Sequence, residues 1–238
     1  GIRYFCLARG LGDVYKRQAQ GGGGREGNGK ICQISCYTSD MAALGQVICE
    51  HAAALPEGAP LTAKEFLHLG SRPAVDQALS RLARRGILLR VGRGLYMRPI
   101  SGRYGSRSPA THKVVEGVAA QQGVKIVPHG AAAANALGLT TQVPVRAVYL
   151  TSGRSRQLKL GAQTVELRHA PAWQLVLPGR VAGEVVRALA WAGPGNAAGA
   201  IRTLRATLSA SELEEVAATR PQLPTWMAQE VSALLRHA

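Results

Sequence analysis

The stretch "LTAKEFLHLGSRPAVDQALSRLARRGILLRVGRGLYMRP" (61–99) confines this chain more tightly than any other. Its apolar residues change period partway along. After Pro73, Val75, Ala78, Leu79 and Leu82 recur at every third or fourth position, which is one face of a helix. Pro73 suits the first turn, where a missing N–H costs little, and Gly86 stops the helix. The segment "ILLRVGRGLYMRP" then reads as two short strands around a Gly92-Arg93-Gly94 turn, closed by Pro99. Upstream, Thr62 is placed to cap a helix, with Glu65 at capping-box spacing and Gly70 as its stop. Earlier still, "MAALGQVICEHAAAL" (41–55) carries Leu44, Val47 and Ile48 at helical spacing, and "PEGAP" (56–60) breaks that helix. Helix, helix, turn, helix and a two-stranded wing is the order of a winged helix-turn-helix.

Charge falls on the same region. The chain's formal net charge is +15, and residues 71–107 hold nine Arg against one acid, Asp76. Such a density suits a phosphate-backbone partner; a solubilising face is the plainer alternative. Opposite the apolar stripe of the 73–85 helix lie Pro73, Gln77, Ser80 and Arg84, with Arg81 beside them. Gln pairs bidentately with adenine and Arg with guanine, so this face can read bases in a major groove. Arg72 and Arg85 stand to the sides, where phosphates would lie. Arg93 sits between two glycines at the wing tip, flanked by Arg90 and Arg98, and suits a minor groove or a phosphate.

Beyond Pro99, "ISGRYGSRSPAT" (100–111) reads as a polar linker to a second domain. That domain is expected to hold a helix over 110–122, a strand at 124–127, a helix over 131–137 and a buried strand at 145–151. "SGRSRQLKLGAQTVELRHA" follows as a basic turn and a hairpin around Gly161-Ala162. Arg154, Arg156 and Lys159 make a second basic cluster there, for nucleic acid, for an acidic protein face, or simply solvated. Helices are expected over 178–192, 197–207, 209–219 and 225–236, the last two capped by Ser209 and Thr225. Trp173, Trp191 and Trp226 are read as core residues.

Several chemistries are set aside. Of four cysteines only Cys49 lies outside the first 40 residues, and Cys32 and Cys36 have no second ligand pair, so no metal site is read. No run of about 20 apolar residues and no secretory core appear, which makes the cytoplasm the expected compartment and a membrane partner unexpected. "LGSRPAVDQAL" resembles a nucleotidyltransferase Gly-Ser motif, but metal-dependent transfer needs paired carboxylates and only Asp76 is present. His129, between Pro128 and Gly130, is read as structural, and His112 and His169 have no nucleophile in a recognisable elbow. The Gly-rich 21–24 run lacks the residues of a phosphate loop. No catalytic residue and no cofactor are expected.

The string from Phe66 to Pro99 resembles the N-terminal winged helix of type IV toxin–antitoxin antitoxins, the AbiEi-like abortive-infection family. "PHGAAAANALGLTTQVPVRAVYLTSGRSRQLKLG" (128–161) is similar to the second domain of a related group, so the resemblance covers about residues 60–170. It implies a bacterial transcriptional autoregulator, with DNA contacts from the helix bearing Gln77, Ser80, Arg81 and Arg84 and from the wing bearing Arg93. It also implies antitoxin activity against a nucleotidyltransferase-like toxin encoded alongside. The runner-up is an interaction module that neutralises a toxin without reading DNA. The expected fold is α+β: a winged helix-turn-helix at 41–100, then an α/β domain with a helical C-terminal tail at 109–238. Operator sequence and oligomeric state are not legible.

Residues 1–40 are read apart from this scheme, as an artefactual or disordered leader. Asp13-Val14-Tyr15-Lys16-Arg17-Gln18 is what the transposon mosaic end used as a sequencing adapter would encode, and an aperiodic Gly-rich run follows. A chain starting at Met41 is therefore expected to melt at the same temperature as the full chain. Thermal denaturation of both checks this, and a drop of several degrees on truncation would make the leader part of the fold.

Overall fold

In the computed structural model, residues 43–103 and 105–235 are described. The expected leader lies outside them. Helix α1 (43–54) turns Leu44, Ile48 and Ala52 inward and leaves Val47 exposed. A two-residue strand β1 (Pro60–Leu61) leads into a single 3-10 turn, Ala63–Phe66. The helix expected over 62–70 is therefore only that turn. The Glu65 carboxylate accepts both the backbone N–H and the hydroxyl of Thr62, at 2.9 and 2.8 Å. This starts a helix as expected, but Phe66 is then drawn into the core and the chain turns through Leu67–Gly70.

Helix α2 (Arg72–Arg84) buries Val75, Ala78, Leu79 and Leu82. Full burial of one leucine of this kind contributes about 1.5–3 kcal/mol. Its end is closed by two backbone bonds, Gly86 N–H to Ala83 O at 3.1 Å and Ile87 N–H to Leu82 O at 3.0 Å. That closure needs a left-handed residue, and Gly86 supplies it at φ +73°. Strands β2 (Leu89–Gly92) and β3 (Leu95–Met97) form the hairpin, and β1 pairs on the other side of β3, giving the order β1-β3-β2.

Residues 100–111 are not a free linker. Ile100–Gly102 (β4) and Gly105–Arg107 (β5) pair as a second small hairpin. Helix α3 (Thr111–Gln122), strand β6 (Ile126–Pro128) and helix α4 (Gly130–Ala136) follow. Strands β7 (Ala147–Thr151), β8 (Arg156–Leu160) and β9 (Gln163–His169) complete a four-stranded sheet in the order β6-β7-β9-β8. Only the β7–β9 pairing is parallel. The buried strand expected over 145–151 begins two residues later, and Val145 is 100% exposed.

Four helices follow among the described residues: α5 (Val181–Ala192), α6 (Pro194–Thr207), α7 (Ala210–Ala218) and α8 (Thr225–Leu235). Ser209 caps α7 as expected, in a reciprocal pair with Glu212. Leu189, Leu204, Val216 and Met227 meet in a helical core. Trp173 and Trp226 pack partly buried against it, whereas Trp191, expected in the core, is 43% exposed. Within α5, Arg187 is 1% exposed. One of its N–H groups reaches Val176 O at 3.4 Å, while Nε and the other terminal nitrogen have no partner among the described residues. Burial pushes its pKa down.

The architecture is α+β, but the expected boundary near residue 100 is not a seam. Residues from Ala43 onward form one compact unit. Val91, Leu95 and Met97 of the β2–β3 hairpin share a core with Val114 and Val118 of α3 and with Leu158, Val165 and Leu167 of the sheet. A second tie is steric. A Cβ on Gly117 of α3 would lie 2.4 Å from Gly58 O, and one on Gly58 would lie 2.5 Å from the Lys113 carbonyl. Backbone meets backbone there, with no flexible side chain to yield. Gly117→Ala should therefore destabilise by roughly 1–3 kcal/mol, although alanine ordinarily gains about 1 kcal/mol over glycine within a helix. Denaturant unfolding of the variant reads the sign directly.

Candidate nucleic-acid interface

The inward stripe of α2 fixes its outward one. With Val75, Ala78, Leu79 and Leu82 buried, Pro73, Gln77, Arg81, Arg84 and Arg85 are exposed. Ser80 departs from the expected outward face. It is half-buried, and its hydroxyl lies 3.4 Å from that of Tyr96, a buried residue of β3. The one acid of the segment is occupied: Arg72 Nε–H donates to Asp76 Oδ2 at 2.9 Å, one turn along the helix. Both side chains are about half exposed, and such a pair contributes at most about 1 kcal/mol. A phosphate oxygen can therefore replace Asp76 at Arg72.

The hairpin places its arginines differently from one another. Arg93 is exposed at the tip, in the two-residue turn between Gly92 and Leu95. Arg90 is exposed and pairs across the ladder with Tyr96. Directly paired residues project to the same side of a sheet, and Tyr96 reaches Ser80, so Arg90 stands on the hairpin face turned to α2. Arg98 is also exposed, yet its guanidinium donates to Ala53 O at 3.0 Å, at the C-terminal end of α1. It thereby completes a helix terminus.

The second basic cluster does not hold together. Arg154 and Lys159 are exposed, but Arg156 is half-buried. Along β8, Arg156 alternates in phase with the buried Leu158 and Leu160, and Lys159 is out of phase with them. Arg156 accordingly points inward, where it donates to Gln122 Oε1 at 2.6 Å, and burial lowers its pKa. A one-residue register difference separates it from Lys159.

His129 is the N-cap of α4. Its Nδ1 accepts the Ala131 N–H at 3.2 Å, and burial, with Arg168 nearby, lowers its pKa against an opposing pull from Glu166. Among the described residues no three His, Cys, Asp or Glu side chains converge as metal ligands would. Within the same residues no helix is long and apolar enough to cross a membrane. The features that the residue pattern did not reveal are the Ser80–Tyr96 contact, the Arg98 tie and the inward turn of Arg156. Only the alternation along β8 carried a signal for any of them.

A family described as being of unknown function, DUF6088, matches residues 47–215. No curated protein and no solved structure matches the chain. The match takes in α2, the hairpin, the four-stranded sheet and most of the terminal helices.

Because Arg98 closes α1, Arg98→Ala is expected to lower the melting temperature by a few degrees. Arg93→Ala, at an open turn, is expected to leave it unchanged. Parallel thermal melts of the two variants distinguish a structural arginine from a surface one.

Proposed function

The chain belongs to the DUF6088 family, and we propose that it is a DNA-binding transcriptional regulator that reads its operator through a winged helix-turn-helix. The observation that carries this reading is the face of α2. Gln77, Arg81 and Arg84 are exposed opposite the buried stripe, while Asp76, the segment's one acid, is paired with Arg72. Arg90 on the α2-facing side of the hairpin and Arg93 at its tip extend the positive surface.

In this reading α2 enters the major groove. Gln77 has the donor and acceptor geometry for adenine, and Arg81 and Arg84 for guanine O6 and N7. Arg72, Arg85 and Arg90 meet phosphates, and Arg93 meets a phosphate or a narrow minor groove. The regulator acts on its own operon in the bacterial cytoplasm and serves as the antitoxin of a type IV pair. That last part rests on the resemblance at Phe66–Pro99. It requires a nucleotidyltransferase-like reading frame beside the gene.

Paired gel-shift titrations of the protein's own promoter and a scrambled duplex, across a salt series, test the DNA reading. Six phosphate contacts would give a log–log salt slope of about −5. Gln77→Ala and Arg84→Ala should each cost roughly 1–3 kcal/mol on the promoter and narrow its lead over scrambled DNA. Arg93→Ala should weaken both duplexes by similar factors. A flat salt titration would favour the runner-up, a module that docks on protein and reads no DNA.

A further inference from the structure

Away from α2 and the hairpin, a cleft of about 360 Å³ opens between α4 and β7. Its walls include Ala131 and Ala132 of α4 and Pro144 of the loop that leads into β7. These are small and apolar. Three residues with polar side chains are also among those that line it: His129, Arg146 and Tyr149. No acid does.

Each of the three offers a donor. Ala131 N–H occupies Nδ1 of His129, so the neutral ring carries its proton on Nε2. The phenol of Tyr149 is half-buried, and burial raises its pKa, so it remains an O–H donor. Neither the Tyr149 hydroxyl nor His129 Nε2 has a hydrogen-bond partner among the described residues. Arg146 is exposed and makes no hydrogen bond or ion pair with them. Glu166, whose carboxyl the Arg146 charge helps hold low, is outside the lining and accepts from Nε and one terminal nitrogen of Arg168, at 2.9 and 3.1 Å. The cleft thus pairs an apolar body with one positive charge that has no ion-pair partner among the described residues and with two neutral donors.

We infer that this cleft binds a small organic monocarboxylate with an apolar body, whose carboxylate meets Arg146 and Tyr149 and whose hydrocarbon part lies against Ala131, Ala132 and Pro144. Ligand clefts of this kind are largely apolar with a few converging polar groups, and a carboxylate is the acceptor that suits arginine best. A neutral apolar ligand would leave the donors unused. A phosphate ester would bring a second negative charge with only one cation to meet it. The inference stands independently of DNA reading, since none of these residues lies on α2 or the hairpin.

The test uses the full chain and isothermal titration calorimetry. Benzoate, phenylacetate and hexanoate are the probes; benzamide, phenylacetamide and hexanamide remove the charge, and acetate removes the apolar body. At least one probe should bind about tenfold or more tightly than both its amide and acetate, the range expected for a charge-assisted hydrogen bond. Arg146→Ala and Tyr149→Phe should each weaken that binding by about threefold or more, and Ala132→Leu, which fills the cleft, by about tenfold or more. Arg146 is exposed, so its variant keeps the test valid even if Ala132→Leu perturbs α4. The inference is overturned if no probe outbinds its amide and acetate, or if Arg146→Ala leaves the affinity of the probe unchanged.

Discussion

Strand β3 is buried on both faces, and the rest of the molecule is arranged around that fact. Leu95, Tyr96 and Met97 are three consecutive residues with 4% exposure or less. Tyr96 belongs to the core that α1 and α2 build, with Leu79, Leu82 and Phe66. Leu95 and Met97 belong to the core shared with α3 and the four-stranded sheet. A strand alternates its side chains between two sides, so one short strand seals two cores. A hairpin on its own would be marginal in water. Here it is fixed because both of its faces have something to cover.

That constraint bears on how the basic face is presented. The hairpin is packed on β8, so its register and its tilt against α2 are set by the second core rather than by a free loop. Arg90 acquires a definite side through its pairing with Tyr96, and Arg93 a definite tip position. Rigid placement of this sort leaves the surface little conformational entropy to lose on meeting any partner. The same packing explains why the basic cluster on β8 is divided. Leu158 and Leu160 face the hairpin's core, which carries Arg156 inward and leaves Lys159 on the opposite face.

Polar burial is uneven across the chain. Around α2 the buried side chains are apolar and the charges lie outside. In the terminal helices Arg187 is buried with one long contact, and Gly183 and Gly130 approach it closely enough that a Cβ on either would collide with neighbouring backbone. The α4–α5 contact is tight because Gly130 lets the two backbones meet. It also holds His129 and Ala131 at the wall of the β7 cleft.

The residue pattern alone determined which segments are helical or extended wherever periodicity was strong. The stripe of α2, the turn at Arg93-Gly94, the hairpin around Gly161-Ala162 and the Ser209 cap are local, so spacing and turn chemistry suffice to specify them. Arginine density on 71–107 was equally plain. Other features needed the tertiary structure. The capping box at Thr62 and Glu65 formed, yet the helix it announces stopped after one turn, because burying Phe66 outweighed local propensity. The polar run at 100–111 became a hairpin, and the boundary it suggested vanished into a shared core. Which arginines remain available was also decided there. Arg84 and Arg93 stay open, while Arg98 closes α1 and Arg156 turns to Gln122. Sequence spacing records a side chain's direction only relative to its own helix or strand. What that direction meets is fixed by elements distant in the chain, and here those elements are α1, β3 and β8.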